Sequence, residues 1–258
     1  MGSRAASGAG LSMADKEPYL DFRFTIAQLP EGRALTAEEI EAMMLREIEQ
    51  TGGTSKQALW NLVLLYSRTG RHDQALERLK TFLSMTTDRE ERASCLIAMG
   101  QLHEWFRDYD RAIGYYREAF AIEPEHTASR YLINNNLGYC LIQIGQFKVA
   151  EAHLEAAITI DPKRANAFKN LGLALQHQGK NGEAADCFVL ATQANAADSR
   201  SLKHLEKLVA KHPELLLVVP GLAGKLEACL RAVAYAASRQ PDVDACWEEV
   251  RMKQTKLS

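Results

Sequence analysis

The chain repeats itself. Residues Gly138 to Pro162 superimpose on Gly172 to Ala196 at a shift of 34 residues, and a period of that length restricts the fold to stacked supersecondary units. In this register Leu137-Gly138 matches Leu171-Gly172, Gly145 matches Gly179, Ala150 matches Ala184, Leu154 matches Phe188 and Ala157 matches Ala191. The same slots are filled upstream by Met99-Gly100, Tyr109, Ala112, Tyr116, Ala119 and Pro124, and before these by Leu59, Leu62, Tyr66, Gly70, Ala75, Leu79 and Phe82. Each slot has a physical meaning. Gly100, Gly138 and Gly172 lack a side chain where two helices cross closely, and Ala75, Ala112, Ala150 and Ala184 keep the second helix near. Gly70, Gly145 and Gly179 fall where the first helix ends and a left-handed C-cap is expected. Pro124 and Pro162 stop the second helix, because proline has no N–H for the helical ladder.

These residues resemble the tetratricopeptide-repeat (TPR) family. The resemblance implies an all-α fold, a right-handed TPR superhelix of antiparallel helical hairpins with a capping helix and additional C-terminal helices. Four repeats, Lys56 to Arg89, Ala93 to His126, Tyr131 to Arg164 and Ala165 to Asp198, fill residues 56–198. Glu90 to Arg92 and Thr127 to Arg130 are inserted between the first three; four residues make about one helical turn, so each insert predicts a longer helix or a projecting loop at one edge. Residues 199–258 begin with a helix from Ser199 to Lys211 that places Leu202, Leu205, Leu208 and Val209 on one face, as a repeat array needs to cover its last apolar surface. Helices follow at Leu222 to Ser238 and Asp244 to Lys253, separated by Gln240-Pro241; they cap the C-terminal end or pair between subunits. Residues 17–55 hold an extended segment, in which Phe22, Phe24 and Ile26 alternate with polar residues, and a half-repeat helix from Thr36 to Gln50. Thr36 and Glu39 have capping-box spacing at its start. Residues 1–16, rich in Gly, Ser and Ala without an apolar core, read as a disordered leader and not as a secretory signal.

Charge and cysteine usage narrow the partners. The formal net charge is −2 over 258 residues, so a global drive toward nucleic acid or anionic lipid is missing. The longest apolar runs, such as Leu215 to Val219, fall far short of the ~20 residues that span a bilayer. Cys95, Cys140, Cys187, Cys229 and Cys246 are scattered, odd in number and free of any CxxC pair, which predicts reduced thiols in a cytoplasmic protein. The expected partner is a protein or peptide, with a homodimer through the C-terminal helices as the alternative and neither nucleic acid nor membrane involved.

In TPR arrays the first helix of each hairpin lines the concave surface, so residues near the Gly slot become candidates for contact. Two positions before it the repeats carry Asn61, Ala98, Asn136 and Asn170. A carboxamide supplies a donor and an acceptor together, which suits the backbone of an extended peptide whatever its side chains. The arrangement resembles the asparagine ladder of the O-GlcNAc transferase TPR superhelix, interrupted here by Ala98; the competing reading is that each Asn bonds to a neighbouring helix. Asn135 and Gln101 stand beside the ladder. The carboxylate clamp of chaperone-binding TPR proteins is not reproduced: the best window offers Asn135, Tyr139, Asn170, Arg200 and His204, with one slot matching and two only basic in kind. What survives is a basic end, Lys169 and His177 with Arg200, Lys203, His204, Lys207 and Lys211, suited either to an acidic peptide or to solvent. Trp60 and Trp105 also fall in groove-facing slots, as anchors for a ligand side chain or as surfaces covered by the Phe22 to Ile26 segment.

Catalytic signatures are missing. The chain has no GxSxG elbow, Walker loop, HExxH or dinucleotide fingerprint, and its seven histidines do not cluster with carboxylates or cysteines at ligand spacing. His103 and His153 fall on packing faces, and Cys140 reads as a small hydrophobe. The expectation is therefore a non-enzymatic adaptor without cofactor or metal, with a self-associating scaffold or a regulatory subunit of an enzyme complex as the alternatives.

Overall fold

The computed structural model describes residues 36–239, and every regular element among them is an α-helix. The leader, the Phe22 to Ile26 segment and the Asp244 to Lys253 helix expected from sequence lie outside those residues. Twelve helices follow in chain order: α1 (Ala37–Gln50), α2 (Lys56–Arg68), α3 (His72–Met85), α4 (Arg89–Trp105), α5 (Tyr109–Ala121), α6 (Thr127–Gln143), α7 (Phe147–Ile160), α8 (Ala165–His177), α9 (Asn181–Ala194), α10 (Arg200–Lys211), α11 (Leu215–Val218) and α12 (Leu222–Arg239). They group into two compact units that divide between Ile144 and Gly145.

The first unit comprises α1 to α6, with α2/α3 and α4/α5 as hairpins. Its core is continuous: Leu59, Leu62, Val63 and Tyr66 of α2 meet Ala75, Leu79 and Phe82 of α3 and Cys95, Ala98, Met99 and Leu102 of α4. Burial of such side chains contributes ~1.5–3 kcal/mol each, and no hairpin could supply it alone. The first helix, α1, is held by the capping box foreseen at Thr36 and Glu39, whose reciprocal bonds measure 2.9 and 3.3 Å. It lays Ile40, Met44 and Ile48 on the α2/α3 core. Glu41 fastens it further, accepting from Tyr66 Oη at 2.9 Å and Arg71 Nη1 at 2.6 Å.

Each sequence insert lengthens a first helix. Both α4 and α6 have 17 residues, against 13 in α2 and α8, so the extra turn is helix and not a projecting loop. Its residues are used. Glu90 accepts from the backbone N–H groups of Glu125 and His126 and, at 3.3 Å, from the Ser129 hydroxyl at the start of α6. Glu91 pairs with Lys56 of α2 at 2.5 Å.

The Gly-slot expectation has a measurable basis at two crossings. A Cβ on Gly100 would lie 2.6 Å from the Tyr116 ring, and one on Gly172 the same 2.6 Å from the Phe188 ring. At either crossing a methyl group would force the helices apart.

The second unit comprises α7 to α12, with α8/α9 as its hairpin. Glu151 of α7 takes Lys180 Nζ and Gln178 Nε2 from the α8/α9 turn, each at 2.7 Å. Helix α10 is strongly amphipathic and buries Leu202, Leu205, Leu208 and Val209, the stripe read for the capping helix. It is followed by the short α11, which the sequence reading did not separate, and by α12, where only Leu222 and Cys229 are fully buried. Lys225 reaches Asp186 of α9 at 2.7 Å and ties α12 down.

Candidate functional site

In the first unit the candidate side chains stand on the first helices α2, α4 and α6. Asn61 is partly buried; its Oδ1 accepts from Gln57 at 2.9 Å, and its Nδ2 lies 3.5 Å from the Met44 sulfur of α1. Asn135 and Asn136 are 7% and 9% exposed. The Nδ2 of Asn135 donates to Asn136 Oδ1 at 2.9 Å, and that of Asn136 donates to Tyr116 Oη at 3.3 Å. These carboxamides therefore join α5 to α6. Trp60 packs on Phe82 with ring centroids 5.6 Å apart and the rings tilted by 57°. Trp105 is 71% exposed, and its ring stands 5.1 Å from that of His72.

One functional group was missed. The carboxylate of Glu104, on the last turn of α4, accepts from Tyr116 Oη and is hydrogen-bonded by the Cys140 thiol, with no cation among the described residues acting on it. Burial pushes its pKa up to about 7, against the two donors. Three residues earlier, Gln101 Oε1 is buried without a hydrogen-bond partner. The signal available in sequence was only the i, i+3 spacing of Gln101 and Glu104 beside Trp105; the donors that surround the carboxyl come from two other helices.

The histidines and cysteines take packing roles. His103 is 7% exposed and stacks on Tyr115 at 5.3 Å, as expected for a packing-face residue. Its Nδ1, however, lies 3.5 Å from Asp108 Oδ2 without forming a hydrogen bond. Burial raises the thiols of Cys95 and Cys187 to about 12, which makes both poor nucleophiles.

The second unit gathers part of the basic set. Lys169 of α8 donates to Asn166 Oδ1 at 3.3 Å, and burial together with the Arg200 cation holds its ammonium below the ordinary value. Arg200, at the start of α10, grips Asp198 through Nε and Nη2 at 2.8 and 2.6 Å, drawing that carboxyl down to about 2. His204 stacks on Phe188 at 5.4 Å; burial depresses its pKa, followed by Lys169, Lys207 and Arg200. Lys169, Arg200, His204 and Lys207 thus share one field. Lys203 and Lys211 are exposed elsewhere on α10, while His177 is stacked on Phe147 at 4.5 Å. Asn170, 5% exposed, lies in the wall of α8. Among the described residues no helix is long and apolar enough to cross a membrane.

Comparison with known proteins identifies the repeats. The tetratricopeptide-repeat profile matches residues 55–125 and again 132–164. Human tetratricopeptide repeat protein 7B is 32% identical over 102 residues, which are 40% of this chain and 12% of that relative, so the match spans only a small part of its length. MamA from Desulfovibrio magneticus RS-1 superposes with a TM-score of 0.56 at 22% identity, over 73% of this chain and 99% of the other. YrrB, described as a TPR protein with an unusual peptide-binding site, does so with 0.53 at 18% identity, over 76% and 97%. The 34-residue register, the small-residue helix crossings and these matches lead to one assignment: the chain carries tetratricopeptide repeats over residues 55–125 and 132–164.

Proposed function

We propose that this protein is a non-catalytic adaptor or scaffold that holds extended segments of partner proteins against the first helices of its hairpins, and that in the second unit α8 and α10 receive an anionic group of a partner. The observation that carries the reading is the convergence of Lys169, Arg200, His204 and Lys207: burial and neighbouring cations depress Lys169 and His204, and Asp198, bound by Arg200 and also felt by Lys169, is the carboxylate among them. A solvated face would spread such charges apart; here Lys169 is mostly withdrawn from water with Asn166 as its hydrogen-bond partner. Peptide binding by YrrB, on the same fold, is compatible with this role. The internally bonded Asn135 and Asn136 enter the reading as framework, and contact in the first unit is assigned to Gln101, Trp60 and Trp105.

The test uses the full chain and a fluorescent decapeptide of alternating Glu and Ser, with its Gln and Ser counterpart as control. The acidic peptide should bind, lose affinity as salt rises, and bind the Lys169→Gln, Lys207→Gln double variant about tenfold or more weakly. Equal binding of both peptides, or of both proteins, would sink the anionic-group reading.

A second reading, self-association, is favoured by exposed apolar residues on α11 and α12. Leu217 and Val218 of α11 are 88% and 68% exposed, and Leu230 and Tyr235 of α12 are 41% and 63% exposed. Large exposed apolar side chains of this kind are the material of interfaces between copies. Sedimentation velocity across a concentration series decides: a mass that doubles in the wild type and stays monomeric in Leu217→Ser, Tyr235→Ser supports it, and a constant monomer rejects it.

A further inference from the structure

Glu104 is an anomaly in its surroundings. A carboxyl withdrawn from water is ordinarily paired with a cation, yet its named neighbours are the Tyr116 hydroxyl and the Cys140 thiol, neither of which carries positive charge. One turn earlier the Gln101 carbonyl is buried with its acceptor capacity unused. Both features lie on one strip of α4, whereas Glu41 and Glu91 of the same unit have their Arg71 and Lys56. Gln101, Glu104 and Trp105 follow the i, i+3, i+4 spacing that puts side chains on one face of α4, and the indole of Trp105 is 71% exposed beside them. A cation with several N–H groups would satisfy both acceptors together, and its face or stem would lie on the indole.

We propose that Gln101, Glu104 and Trp105 form a receptor for one basic side chain, arginine or lysine, of the partner segment. The proposal rests on the adaptor reading above and adds the chemistry of the residue that the first unit selects. Tyr116 holds the carboxyl in place, and Tyr116 is itself held by the Asn135–Asn136 relay, so these asparagines act as positioning residues at one remove. The titratable groups facing Glu104 are Tyr116 of α5 and Cys140 of α6, both raised by burial, with Tyr139 beside them raised to about 12. None of these three changes charge between pH 5 and 8; the further ionisable group packed on the receptor is the His72 ring, 5.1 Å from the Trp105 ring. Binding of a basic side chain favours the ionised carboxylate, and affinity should rise from pH 5 and level off above about 7, where Glu104 is already ionised.

The experiment pans a random decapeptide display library on the immobilised full chain and on Glu104→Gln, which keeps an acceptor for Tyr116. The wild-type pool should converge on Arg or Lys at one position, and the variant pool should enrich sequences without it. A peptide from the wild-type pool should bind the variant about tenfold more weakly, while its Gln-substituted form should bind both proteins alike. A carbon-13 NMR titration of Glu104 in the wild type gives a readout free of variants: its midpoint should fall by at least one pH unit when that peptide is bound. A pool enriched without basic preference, or an unmoved midpoint, overturns this proposal and leaves the adaptor reading standing. No enrichment on either protein removes both.

Discussion

Arg107 sits in the left-handed region with φ +58°, at the slot where the other repeats place Gly70, Gly145 and Gly179 at +75°, +80° and +78°. A side chain there crowds the following carbonyl at a cost of ~1–2 kcal/mol, so Arg107→Gly should stabilise the protein by about 1 kcal/mol in urea unfolding. The opposite holds at a crossing. Gly172→Ala puts a methyl 2.6 Å from the Phe188 ring and should destabilise by ~1–3 kcal/mol, read in the same way. Gly172 was legible from its slot in the repeat, whereas Arg107 departs from the glycine that the other repeats carry and was not singled out in the sequence. Glu104 was not legible: nothing in its own segment says that Tyr116 and Cys140, 12 and 36 positions away, will close around it.

Among elements, the added turns of α4 and α6 act as fasteners. The start of α6 has no side-chain cap of its own, since His126 makes none, and Glu90 from the previous hairpin instead fixes the turn just before it, accepting from the N–H groups of Glu125 and His126. Glu90→Ala should therefore cost ~1–2 kcal/mol in chemical denaturation, the range for losing hydrogen bonds to a charged acceptor, whereas Arg89→Ala on the same turn, whose carboxylate contact is 3.9 Å long, should cost little. The insertion of about a turn was visible in the sequence, but its use was not. Whether an added segment projects or packs depends on what lies opposite, and here the opposite residues belong to the next hairpin. The fully wrapped α6 makes the same point: it carries Asn134, Asn135 and Asn136 in succession, all below 10% exposed, and a helical-period pattern alone would place at least one of them in water.

For the whole molecule the raised Glu104 and the lowered Asp198 pull stability in opposite directions with pH. The Glu104 carboxyl titrates near 7 when folded and near its ordinary 4.5 when unfolded, so the folded state binds the extra proton between these values. Its contribution is complete below about 4.5 and is lost as pH rises through 7, a loss on the order of 2–3 kcal/mol. Asp198 behaves conversely: its Arg200 contact contributes above about pH 4 and fades as pH falls toward 2. The thermal midpoint should therefore decline from pH 5 to 8 in the wild type, and the decline should shrink in Glu104→Gln, whose neutral side chain has nothing to ionise.

The sequence by itself determined the all-α repeat architecture, because a period that places glycine, alanine and large apolar residues at fixed slots specifies which side chains can meet and where each helix must turn. It also identified the residues α10 would bury, since a single amphipathic stripe has one way to leave water. Only the tertiary structure decided what the polar residues do. The periodicity brings Asn136 to a slot suited for peptide contact, but Tyr116 from the neighbouring helix occupies its donor. The same packing leaves Glu104 without a counter-ion and gathers Lys169, Arg200, His204 and Lys207 into one field. Hydrogen bonds and charges are satisfied across helices rather than along them, and a one-dimensional pattern carries no record of those partners.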